Sequence, residues 1–301
     1  MNAHTSTARR DPVARAPFQH RVDAALLRPV ECDTLRRFGG PNDGGYLVPA
    51  EAIERASTLL AFGMSIDWSF ERAAAALNSR LAIHAYDHTV RGRRFVEMGL
   101  RSSLVTIGRT LVANRRGARE SLDRVRRSVD YFRFFRGRVR HHRRRVWYND
   151  DRGSAAIAGI LSDTGPHGPL SIFGKVDIEG SEYRILPYIA ASAELFTGLV
   201  IEFHDTDICA ELLNAQVARL RESFVVVHLH GNNYGDMSVG GELPLSLEVT
   251  LLNKRLLPGE PATYRGPLPR PGLDAPNDPR RPDYRLDLAS LDAPPAGESL
   301  R

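Results

Sequence analysis

Cysteine is nearly absent from this chain. Cys32 and Cys209 are the two in 301 residues, far apart and outside any metal-like spacing. Their scarcity excludes a disulfide framework and fits a reducing, cytoplasmic setting. Long apolar runs are missing too: no window reaches the roughly 18 uninterrupted apolar residues that a membrane-spanning helix needs. The first twenty residues, MNAHTSTARRDPVARAPFQH, contain no apolar core of signal-peptide type and read as a flexible lead-in. No internal repeat is visible, and no G-x-G-x-x-G turn occurs, which counts against a nicotinamide oxidoreductase.

What is present suits a soluble globular protein, with 42% hydrophobic and 26% charged residues. The length allows one large α/β domain with appendages, or two small domains. The net charge of +5 conceals an asymmetry. From Arg91 to Arg145 there are 18 arginines against four acids (Glu97, Glu120, Asp123 and Asp130), so this segment carries +14 and the remainder is net acidic. Arginine-rich surfaces attract phosphates, nucleic acid or anionic membranes. The plain alternative is a solvated helical face joined to an arginine-rich connector.

Apolar runs alternate with helical stretches, the pattern of a parallel sheet covered on both faces. Strands are expected at 57–63, 81–87, 143–149, 171–178, 198–205, 224–233 and 243–253. Helices are expected at 68–80, 153–163, 207–223 and over SEYRILPYIA. The last two strands are joined by a Gly/Asn-rich connection with no room for a helix, so they should be antiparallel. The expected fold is therefore α/β with seven strands, six parallel and the last reversed. It comprises a lead-in (1–20), a main domain (21–255) interrupted by a basic, mostly helical insertion (91–142), and a Pro-rich extended tail (256–301).

In open parallel α/β sheets ligands bind beyond the carboxyl ends of the strands. Those ends carry Gly63, Asp87, Asp177 with Glu179, His204 with Asp205, and His228, His230 and Asn232. Each has a structural reading beside the functional one. Gly63 suits a turn, and Asp87 suits either a helix cap or hydrogen bonding to ribose hydroxyls. His228 and His230 share one face of a strand as a structural or a functional pair.

Seven stretches in order, RFGGPNDGGYLVP, LLAFGMSIDWSFE, IHAYDHTV, KVDIEGSEYRIL, GLVIEFHD, HLHGNNYG and LSLEVTLLNK, resemble the FkbM-type methyltransferases and their methyltransferase-like relatives. The likeness spans about residues 36–255 outside the basic insertion, and KVDIEGSE is its most specific motif. It implies the seven-stranded, Rossmann-like class I methyltransferase fold and S-adenosylmethionine as cofactor. It also exposes a departure. Ala61 stands where such enzymes usually carry an acid, and GMSIDWS replaces a Gly-rich turn. In this reading Asp67 supplies the missing carboxylate while Ser65 and Trp68 line the cofactor. The alternative is a weakened or lost cofactor site.

Two Gly-Gly pairs around Pro-Asn-Asp suggest a tight turn. It is either a simple hairpin tip or a flap in which Asp43, Gly44 and Tyr46 cover the cofactor. The leading expectation is an O-methyltransferase acting on a hydroxyl of a sugar, glycolipid or secondary metabolite. Asp177, His204 and His230 are its candidate acid–base residues. Asp177, His204 and Asp205 form a candidate divalent-metal set, by analogy of position with metal-dependent enzymes of the fold. In KVDIEGSEYRIL, Lys175 should share a strand face with Asp177. Glu179 should accept backbone N–H bonds in the turn, with Glu182 in the first helical turn. The rival reading is a binding module whose arginine-rich insertion grips nucleic acid or an anionic surface beside a vestigial cofactor site.

Overall fold

The computed structural model describes residues 21–92, 115–238 and 243–288. The lead-in 1–20, residues 93–114 of the basic segment and the tail beyond 288 lie outside the described residues. In chain order the elements are α1 (Ala24–Leu27), β1 (Leu35–Phe38), β2 (Tyr46–Pro49), α2 (Ala50–Arg55), β3 (Thr58–Phe62) and α3 (Ser69–Leu77). There follow β4 (Ala82–Tyr86), α4 (Arg115–Phe134), β5 (Val139–His142), β6 (Arg145–Trp147), β7 (Ser154–Ala156), α5 (Ile157–Asp163) and β8 (Ile172–Val176). The last are α6 (Glu182–Ala190), β9 (Phe196–Phe203), α7 (Ala210–Leu220), β10 (Phe224–Gly231) and β11 (Leu247–Asn253).

Seven strands form one sheet in the order β10-β11-β9-β8-β3-β4-β5. β3, β4, β5, β8 and β9 pair in parallel, while β11 lies antiparallel between β9 and β10. Six strands thus point one way and one the other, as the alternation of runs predicts, in the class I methyltransferase arrangement that the motif resemblance implies. The chain moves outward from β3 to β5, then returns to β8 on the other side of β3. The strand order therefore switches between β3 and β8, and the crevice for a ligand opens at their carboxyl ends.

One expected strand is displaced. The third sheet strand is β5, at 139–142, rather than 143–149; Arg145–Trp147 instead joins β7 in a separate two-stranded parallel pair. β5 is an edge strand held by rings more than by aliphatic burial. His142 stacks on Tyr86 with centroids 4.4 Å apart and meets His84 nitrogen to nitrogen at 3.0 Å. Aliphatic runs do not reveal such a strand.

The strand bodies are buried because both faces are covered. Leu60, Phe62, Val176 and Ile201 pack with Ile160, Ile185 and Leu213 of α5, α6 and α7. Ala61, Phe173 and Val200 pack with Ile53, Phe70 and Tyr46 of α2, α3 and the β1–β2 hairpin. Full burial of each large apolar side chain contributes about 1.5–3 kcal/mol. Polar ties fix α2 against α3, since the Asn78 amide reaches the carbonyls of Ile53, Glu54 and Ala56 at the end of α2. The described tail is irregular chain, with turns at 271–273 and 279–280, packed against β10. Polar contacts hold it: Arg270 donates to the Val227 carbonyl at 2.9 Å, Asp274 meets His228, and Asp283 meets His230.

Candidate active site

The exits of β3 and β8 interlock. Gly63 has φ +79°, and a Cβ there would sit 1.5 Å from the Asp177 carbonyl oxygen, so glycine is required. The Asp177 N–H returns a bond to the Phe62 carbonyl at 2.9 Å. Lys175, one of two lysines in the chain, pairs in register with Ala61, the position left without an acid. Its buried Nζ donates to the Gly63 carbonyl at 2.7 Å and lies 3.8 Å from Asp177 Oδ2, on the face it was expected to share. Burial disfavours the ammonium, but Glu71, Asp177 and Glu202 outweigh it and raise the Lys175 pKa.

Tyr46 joins two carboxyl groups. Its buried hydroxyl lies 3.0 Å from Asp177 Oδ2 and 3.1 Å from Glu202 Oε2. One hydroxyl proton cannot serve both, so one carboxyl supplies a proton of its own. Burial, with Asp177 and Glu248 nearby, pushes Glu202 up to about 8, which makes it that carboxyl in neutral solution. Glu202 Oε1 accepts from Asn232 and Ser246, each at 2.8 Å.

His204 completes the group. Its Nδ1 lies 2.9 Å from Glu182, and its Nε2 lies 3.6 Å from Glu179, 3.7 Å from Glu202 and 3.9 Å from Asp177. Burial opposes its charge, but the Glu182 bond and the surrounding carboxylates raise it to about 9. Glu182 sits in the first turn of α6 as expected, but it also takes the backbone bonds expected of Glu179. Glu182 is fully buried and accepts the Ile178 and Gly180 N–H groups of the turn, while the exposed Glu179 reaches His204. Ligand atoms of Asp177, Glu179 and His204 lie within 4.8 Å of one another, close enough for one ion. Asp205 borders the same cavity but does not belong to that trio.

Two cavities meet at Asp177 and Glu179. The first, about 430 Å³, is acid-rich and includes Asp43, Glu202, His204 and Asp205. The second, about 290 Å³, lies over the β3, β4 and β8 ends between Gly63, Ser65, Asp87, Thr89, Val146 and Ser181. Asp87 shapes it. One carboxylate oxygen accepts from the N–H groups of Met64 and Ser65, and the other accepts from the N–H and hydroxyl of Thr89 and the N–H of Val90. Burial would raise Asp87, but the hydrogen bonds from Thr89, Ser65 and Met64 dominate and hold it below the usual carboxylate range.

The other sequence candidates are dispersed. Asp67 caps the start of α3 through Ser69 N–H, and buried Trp68 donates to Asp130; both border a third, larger cleft rather than the 290 Å³ cavity. Gly44 belongs to a hairpin tip that closes on itself, since a Cβ on its neighbour Gly45 would lie 2.0 Å from the Gly40 oxygen. Asp43 borders both the cleft and the acid cavity; burial raises its pKa, with Asp177 and Glu248 adding to the rise. His230 lies outside these cavities, buried between Glu248 and Asp283 and raised to about 10; burial opposes its charge, and bonds to those two acids outweigh it.

Sequence reasoning passed over Glu202, although an acid inside the apolar run of β9, two residues before His204, was a usable signal. Backbone conformation adds another. Among the described residues four non-glycines have left-handed φ, and three of them, Ser65, Glu179 and Asp205, sit just beyond β3, β8 and β9. Left-handed backbone disfavours side chains, and such strain concentrates at functional sites.

No family model matches the chain, and no curated protein matches its sequence. Among solved structures it is similar to precorrin-6y C5,15-methyltransferase from Geobacter metallireducens, with 12% identity over 67% of this chain and 85% of that one, TM-score 0.34. It is also similar to an O-methyltransferase from Bacillus cereus, with 12% identity over 67% and 76% of the two chains, TM-score 0.32. A fibrillarin from Methanococcus jannaschii shares 12% identity over 67% and 68%, TM-score 0.33. Likenesses this remote decide neither activity nor substrate, and the fold rests on the sheet's own strand order.

Proposed function

We propose that the chain is an S-adenosylmethionine-dependent O-methyltransferase acting on a hydroxyl of a sugar, glycolipid or other secondary metabolite. One observation carries the reading: the 290 Å³ cavity lies at the switch between β3 and β8 and shares Asp177 and Glu179 with the acid-rich cavity beside it. The residues present suit the cofactor. Gly63 and Ser65 present small residues to the cavity, and carboxylates suit a cationic sulfonium. Asp43, Gly44, Tyr46, Asp67 and Trp68 would act around that cavity rather than within its lining. The substrate class rests on the motif resemblance to FkbM-type enzymes.

When bound, S-adenosylmethionine supplies an electrophilic methyl group. The chain must place the acceptor hydroxyl and take its proton. Asp177 is the base we favour, held by Tyr46 and by the ammonium of Lys175. His204 and His230 already hold protons in neutral solution, at about 9 and about 10, so they serve better as donors or counter-charges. A divalent ion would be held by Asp177, Glu179 and His204, with Glu182 orienting the imidazole, and would acidify the hydroxyl. Incubation with S-adenosyl-[methyl-³H]methionine and a panel of glycosides, glycolipids and hydroxylated polyketides, with and without EDTA, tests both parts. Label in a product ether supports the reading. Failure of every class of acceptor, by a protein that binds the cofactor, counts against the substrate class.

A further inference from the structure

Among its described side chains α4 carries one stripe turned into the molecule and one apolar stripe left exposed. The inward face carries Ser128 and Tyr131, with Phe135 just beyond the helix, and Trp68 meets Tyr131 and Phe135 edge-on with centroids 5.7 and 5.8 Å apart. Trp68 Nε1 and Arg72 both bond Asp130, so the helix is anchored to α3 by polar ties as well. The outward face carries Leu122, Val129 and Phe132, which are 39%, 44% and 50% exposed. Steps of seven and three residues place these three on one stripe. Across the third cleft, of about 980 Å³, Ile66 is 56% exposed. Arg72, Arg126, Arg127 and Arg133 border the same cleft, against Asp43, Asp67 and Asp130, the last of which is paired with Arg72.

We infer that this outward face of α4, with Ile66, docks on an anionic lipid surface. A helix with apolar side chains on a stripe flanked by arginines is suited to lying in the headgroup region, with the stripe toward the acyl chains. Arginines near an anionic leaflet strengthen such binding, and salt screens it. The exposed apolar residues distinguish this partner from nucleic acid. Phe132 is the one ring in the exposed stripe, too few for a stacking platform, and aliphatic side chains gain nothing from a phosphate backbone. A second copy fits poorly as well, since a two-fold contact would set arginines against arginines. Among the described residues no helix is long and apolar enough to cross a membrane, so the contact is peripheral. The cleft beside this face shares Asp43 and Tyr234 with the acid cavity, yet the inference does not depend on the chemistry proposed there.

Co-sedimentation of the full chain with vesicles of phosphatidylcholine and phosphatidylglycerol (7:3), against pure phosphatidylcholine, tests it. The expected result is sedimentation with the anionic vesicles at low salt, at least tenfold weaker on neutral ones or at high salt. Val129→Asp/Phe132→Asp and, separately, Arg127→Ala/Arg133→Ala should each lower the partition coefficient by about tenfold or more while melting temperature stays unchanged. No sedimentation with anionic vesicles overturns the inference. So does sedimentation that Val129→Asp/Phe132→Asp leaves unchanged, or displacement from the vesicles by an equimolar 40-mer of duplex DNA or RNA.

Discussion

Two regions of this molecule carry opposite charge in opposite ways. At the carboxyl ends of β8 and β9, acids are drawn into a partly buried lattice where each is fixed by Tyr46, Lys175, Glu182 or His204. Along α4, Arg126, Arg127 and Arg133 are exposed beside apolar side chains. Buried charge is costly unless paired, so the rim is rigid and its protonation states are shifted. Exposed charge is cheap and screened, so the α4 face can vary without disturbing the fold. The contrast is what sets the proposed chemistry at the rim and the inferred lipid contact at the flank.

Removing the buried cation should break the rim hardest. Lys175→Met leaves the Asp177 and Glu71 carboxyl groups without their ammonium partner and should cost about 3–5 kcal/mol in urea unfolding. A loss under 1 kcal/mol would show that the lattice does not need it. Asp177→Asn sharpens the chemical side: turnover should fall about a hundredfold or more, with affinity for S-adenosylhomocysteine retained. A change of a few fold, with a lower melting temperature, would make Asp177 a structural strand end.

His230 gives a pH test, being faced by Glu248, Asp283 and Asp274. The folded chain keeps its proton up to about 10, whereas the unfolded chain releases it near 6.5. Its contribution to stability is therefore fully present below about 6.5 and lost as the pH climbs through about 10. His230→Gln should lower the melting temperature most near pH 6, with the gap to wild type closing by pH 10. The smallest effect is expected on the flank. Arg127→Ala/Arg133→Ala should change unfolding free energy by no more than about 0.5 kcal/mol.

Much of this was legible in the sequence where apolar runs report burial directly. The bodies of β3, β4, β8, β9 and β10 and the reversed β11 follow from such runs and from the short Gly/Asn-rich link before β11. β5 was not legible, because an edge strand held by His84, Tyr86 and His142 has no aliphatic signature. Asp177 and His204 could be picked out because strand order brings carboxyl ends together. The partnership of Tyr46 with Asp177 and Glu202 spans 131 and 156 residues and depends on how the hairpin folds over the sheet, which no local pattern encodes. The same holds for the acceptor of the turn's N–H groups, Glu182 rather than Glu179, in a turn with left-handed backbone at Glu179 and Gly180.

The central claim is that the cavity between Gly63, Asp87 and Asp177 holds S-adenosylmethionine. Isothermal titration with S-adenosylhomocysteine tests it without knowledge of the acceptor. The account predicts one site per chain in the wild type. In a folded Asp87→Ala protein, whose loops at 64–65 and 89–90 lose their shared anchor, affinity should be at least about tenfold weaker. Absence of binding heat in the wild type, or equal affinity in the two proteins, would contradict it.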